Sequence, residues 1–164
     1  KEEYKPLPQQ LNFESKMRSG KKGFLVYESD LSPNILKEYD MILIQSCPLK
    51  STSRSSVVQS FIANALKVWQ KKFTVNQKCD IALIDLEDTR MIKSIMDEKD
   101  LTSLSSNYPA LGAVNDQIQK LRNESIIVDY RYQKWDRSFW PHSSKGFFKL
   151  KSKIPKILQQ LNCM

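Results

Sequence analysis

Apolar positions along this chain fall into two patterns, short continuous runs and helically spaced stripes. Phe24-Leu-Val-Tyr27, Met41-Ile-Leu-Ile44, Ile81-Ala-Leu-Ile84 and Ile126-Ile-Val-Asp-Tyr130 are the runs. Such runs suit parallel strands covered on both faces. Val58, Phe61, Ile62, Ala65, Leu66 and Trp69 recur at helical spacing and predict a helix over Val57 to Phe73, with Ser55 or Ser56 as its cap. A second helix is expected from Thr89, as cap, through Met96, and a third from Leu111 to Leu121. Phe147 to Leu161 predict a closing helix, broken or begun near Pro155. Ile35 to Tyr39 allow one short helical turn, and Asp97 to Pro109 read as a polar, turn-rich connection. Strands separated by helices imply an α/β layered domain with a mostly parallel central sheet flanked by helices.

Length changes this picture little, since 164 residues fit one core. Residues 1–22 read as a charged lead-in segment or a boundary inside a longer protein, and residues 23–164 as a single α/β domain. No apolar run approaches a membrane span. Cys47, Cys79 and Cys163 lack metal-ligand spacing, and their odd number argues against a disulfide framework, so a cytoplasmic setting is expected.

Charge adds more. The net charge is +8, which suits nucleic acid, anionic lipid or an acidic protein partner. Lys145, Lys149, Lys151, Lys153 and Lys156 form a candidate basic patch without an acidic neighbour, although ordinary solubility accounts for them as well. From Met41 to Cys79 there is no Asp or Glu. The strand end at Gln45 to Arg54, where α/β enzymes usually place their chemistry, therefore offers hydroxyls, a thiol and cations but no acid. That composition favours a binding module over an enzyme.

The remaining chemistry-bearing residues have plain alternatives. His142 is the only histidine, beside Pro141 and Ser143 in an expected turn. Cys47 reads as a partly buried structural cysteine rather than a nucleophile. Asp85, Glu87 and Asp88 form one acidic cluster, with no second cluster to complete a metal site, and read as a solvated strand end or helix start. No GxGxxG or GxxxxGK pattern occurs. Tyr130 to Trp140 interleave aromatics with Arg131, Lys134 and Arg137, which suits base stacking, while Phe139 and Trp140 more simply anchor a helix.

Several of these pieces together resemble the Toll/interleukin-1 receptor (TIR) domain, with the SEFIR group a related possibility. The carriers are Ser29-Asp-Leu-Ser-Pro-Asn34, which keeps the Asp and Pro of a family loop, the strands at Met41 and Ile81, and Phe139-Trp140 followed by Lys149 to Pro155. The resemblance implies a TIR/flavodoxin-like sheet and a non-enzymatic cytosolic adaptor or receptor-tail domain acting through a protein partner or homotypic association. It implies partner contacts at Asp30, Leu31, Pro33 and Asn34, and no cofactor or metal. Some TIR domains cleave NAD with a glutamate on the helix matching Val57 to Phe73, and that helix carries no acid here. The alternative function is a nucleic-acid-binding α/β module using the basic, aromatic-containing surface.

Overall fold

The computed structural model describes residues 19–31, 38–76, 79–109, 111–143 and 147–161. Its elements are β1 (Lys21–Val26), β2 (Met41–Gln45), α1 (Ser56–Asn76), β3 (Asp80–Ile84), α2 (Thr89–Glu98), β4 (Leu101–Asn107), α3 (Ala113–Asn123), β5 (Val128–Arg131), α4 (Lys134–Ser143), α5 (Phe147–Lys151) and α6 (Ile154–Gln160). The five strands form an all-parallel sheet flanked by helices, which is the layered α/β architecture the apolar pattern implies.

The strand order is β3-β2-β1-β4-β5. This is the order of a dinucleotide-type doubly wound sheet, and it differs from the flavodoxin-like 2-1-3-4-5 arrangement. The chain steps outward from β1 to β2 and β3, then returns past β1 to lay β4 on its other side. The central strand is therefore β1, which begins at Lys21, inside the segment expected as lead-in.

β4 lies where the sequence reads as a turn-rich connection. It pairs with β1 in register Gly23↔Leu104, Phe24↔Ser105 and Leu25↔Ser106. Its residues Leu-Thr-Ser-Leu-Ser-Ser-Asn lack an apolar run, yet Ser103 and Ser106 are buried. Backbone pairing on a central strand overrides the weak strand preference of serine. Small side chains also fit the close contact with β1, where Gly23 packs between Leu43 and Leu104.

Alternation along β1 and β2 sends side chains to two cores. Leu25, Tyr27 and Leu43 pack with Ile92 of α2 and with Val114, Ile118 and Leu121 of α3. Phe24, Val26, Ile42 and Ile44 pack with Trp69 and Phe73 of α1, whose rings stack at 4.2 Å. Asp88, rather than Thr89, caps α2, its carboxylate accepting the Met91 N–H at 3.0 Å.

One compact unit ends at Tyr130, and residues from Arg131 onward belong to a second. In the second, α4 packs on α5 and α6. The closing segment, expected as a helix broken or begun near Pro155, is two short helices, with Pro155 in the first turn of α6, where its missing N–H costs nothing. No helix among the described residues is long and apolar enough to cross a membrane.

Candidate functional site

A doubly wound sheet offers its ligand crevice at the carboxyl ends of the strands where the order reverses. Here that point lies between β1 and β4, and the protein's own side chains occupy it. The Tyr27 hydroxyl donates to the Asn107 carbonyl, and the Asn107 amide donates to the Asp30 carboxylate. Burial, followed by the nearby Asp30 charge, pushes the Tyr27 phenol well above its ordinary value, so it stays a neutral donor. The Asp30 N–H closes the turn on the Tyr27 carbonyl at 2.9 Å.

Beside this turn, Glu28 fixes the segment that leads into α1. Arg54 Nη2 donates to Glu28 Oε1 at 2.5 Å, and the Leu49 N–H donates to Oε2 at 3.1 Å. Gln45 is buried between them: its Oε1 accepts the Glu28 N–H at 2.9 Å, and its Nε2 donates to the Cys47 carbonyl at 2.7 Å. The acidic cluster after β3 grips the same segment from the other side. Lys50 Nζ donates to Asp85 Oδ2 at 2.6 Å, while the Lys50 and Ser51 N–H groups donate to Glu87 at 2.6 and 3.0 Å. The hydrogen bond from Lys50 holds the Asp85 carboxyl below its usual value. Burial opposes ionisation of Glu87, but its bonds from Ser51 and Lys50 win and lower it. Asp85, Glu87 and Asp88 thus serve as a latch and a helix cap.

What this scaffold presents is the outward face of α1. The helix has two apolar stripes. Leu66, Trp69 and Phe73 point into the sheet and are buried. Val57, Phe61 and Val68 lie on the other side, 76%, 72% and 55% exposed, with Val58 also exposed. Phe61, Asn64, Ala65, Val68 and Trp69 line a shallow groove of about 330 Å³. Helical spacing alone groups Val58 and Phe61 with the core stripe; the structure turns both to solvent. The separation needs the position of the sheet, because an apolar surface spanning more than half of a helix has no unique inward direction. α1 carries no acidic residue, and its Lys67 and Lys71 are exposed.

The loop residues expected to bind a partner divide. Asp30 is tied to Asn107, and the half-buried Leu31 packs under α1 while its carbonyl accepts Trp69 Nε1–H at 2.6 Å. Pro33 and Asn34 lie outside the described residues, as do Lys145 and Cys163. Lys149, Lys151, Lys153 and Lys156 are exposed on or beside α5 and α6. Phe139 and Trp140 are half-buried on α4, where Phe139 packs on Trp135 with ring centroids 4.6 Å apart. His142 is exposed in the last turn of that helix rather than in a turn, and Cys47 is half-buried. Glu28 and Gln45 carry no motif; only their places at the ends of β1 and β2 mark them.

No family model, curated protein or solved structure matches this chain.

Proposed function

We propose that the chain is a non-enzymatic protein-association domain whose main contact surface is the outward face of α1. The observation that carries this reading is the exposed stripe of Val57, Phe61 and Val68 with its apolar groove. Isolated exposed apolar residues are ordinary, whereas a contiguous patch on an otherwise charged protein marks a contact site. The latch through Glu28, Asp85 and Glu87 supports it by fixing the start of α1. The sequence likeness to TIR signalling domains implies a flavodoxin-like strand order. The strand order is that of a different doubly wound sheet, so the reading rests on α1 rather than on that likeness.

Photocrosslinking tests it. A crosslinker at position 61 should join one defined protein, identified by mass spectrometry, and the adduct should vanish with Val68→Ser. A crosslinker at the exposed position 94 on α2 should not give that adduct. The same adducts from both positions, or none from position 61, remove the reading.

A second reading has its own observation. Phe148 is 85% exposed on α5 beside the exposed Lys149 and Lys151, a pairing of cation and aromatic that suits nucleic acid. Binding of a single-stranded oligonucleotide that falls steeply with added salt and is lost with Phe148→Ala would favour it.

A further inference from the structure

Building on α1 as the contact face, we propose that its occupant is an acidic amphipathic helix from another protein, and not a second copy of this chain.

The shape of the site argues for a helix. From Val57 to Val68 the exposed stripe runs about 16 Å along three turns. The backbone groups within α1 are already bonded inside the helix, so it cannot receive an added strand through main-chain hydrogen bonds. An occupant must dock through side chains. A helix with apolar residues at i, i+4, i+7 and i+11 presents a stripe of the same length and period.

Charge selects the kind of helix. Between Met41 and Cys79 the chain has no carboxylate. Two of its cations there, Lys50 and Arg54, are held by Asp85 and Glu28. Lys67 and Lys71 lie one turn apart on α1 beside the stripe, and among the described residues no carboxylate forms an ion pair with either. Glutamates flanking an apolar stripe would meet them. A second copy would instead bring another chain of net charge +8 and another helix without an acid, placing like charges together with nothing to offset them.

Titration calorimetry with synthetic peptides decides the matter. One peptide carries leucines at i, i+4, i+7 and i+11 with glutamates on its flanks, and its control keeps the leucines but carries lysines. The glutamate peptide should bind about ten-fold more tightly than the lysine peptide at low salt, the effect of two exposed charge pairs changed from attraction to repulsion. Phe61→Ser should abolish that binding, and a Lys67→Glu, Lys71→Glu double variant with an unchanged circular-dichroism spectrum should reverse the preference. Equal binding of the two peptides, no binding of either, or a preference unchanged in the double variant overturns the proposal. A concentration-dependent dimer in sedimentation that disappears with Phe61→Ser also overturns it, while leaving α1 as an association surface. Loss of the position-61 crosslink would instead remove the association reading itself.

Discussion

Arg54 grips Glu28 at 2.5 Å, and the glutamate side chain is only 3% exposed. A carboxylate this buried is tolerable because it is fully engaged, accepting from Arg54, from the Leu49 N–H and from Gln45 Nε2. It joins the end of β1 to the start of α1 across the segment that has no acid of its own.

Loss of the glutamate strips the shared acceptor from Arg54 Nη2, the Leu49 N–H and Gln45 Nε2 at once. Glu28→Ala should therefore destabilise the protein by about 3–5 kcal/mol in denaturant unfolding. Arg54→Ala should cost less, since Arg54 is more exposed and the carboxylate it leaves keeps its amide donors. The double variant should fall well short of the sum of the two, because both changes break the same bond. A Glu28→Ala protein within about 0.5 kcal/mol of the wild type would show the pair to be incidental.

The latch on the opposite side makes stability depend on acid. Asp85 and Glu87 both have carboxyls held below their ordinary values in the folded protein. Their contribution is complete above the unfolded value, about pH 4, and is lost as pH falls through the lower folded values. A variant carrying Asp85→Asn and Glu87→Gln should melt below the wild type at neutral pH, and that gap should close as pH falls under about 4. A gap of constant size across this range would refute the linkage.

Gly23 sits in the central strand where a Cβ would lie 2.7 Å from Leu104 Cδ2 and 2.9 Å from Leu43 Cδ1. Both leucines are fully buried and have little room to move. Gly23→Ala gains some strand preference but overpacks the core, so it should destabilise by about 1–3 kcal/mol. Adding Leu104→Val should recover part of the loss. Unchanged stability in Gly23→Ala would mean that the core repacks freely there.

β2 and β3 and the three connecting helices are legible in the sequence because apolar periodicity records burial directly. β4 is not, since Ser103, Ser105 and Ser106 hold their places by backbone pairing with β1 and by small size. Strand order is equally hidden: nothing in Leu101 to Asn107 states which side of β1 it joins. At the candidate site, the lack of carboxylates on α1 is visible in the sequence, whereas the outward direction of Phe61 is not. Glu28 looks like one more loop acid until the fold closes Arg54 and Leu49 around it.

The division of α1 into an inner and an outer stripe gives the sharpest contrast. Leu66 is wholly buried, and Leu66→Ala should cost about 2–5 kcal/mol through lost burial and the cavity left behind. Phe61 belongs to the same periodic series but is largely exposed, so truncating it removes little that folding has buried. Phe61→Ser should stay within about 0.5 kcal/mol of the wild type in the same denaturation measurement. The two substitutions should also separate in their effect on association: Phe61→Ser should abolish capture by the acidic peptide without changing the melting temperature, because it alters only the surface the partner meets. A cost for Phe61→Ser as large as that for Leu66→Ala would place Phe61 in a core, and with it would go the main reason to regard this face of α1 as free for a partner.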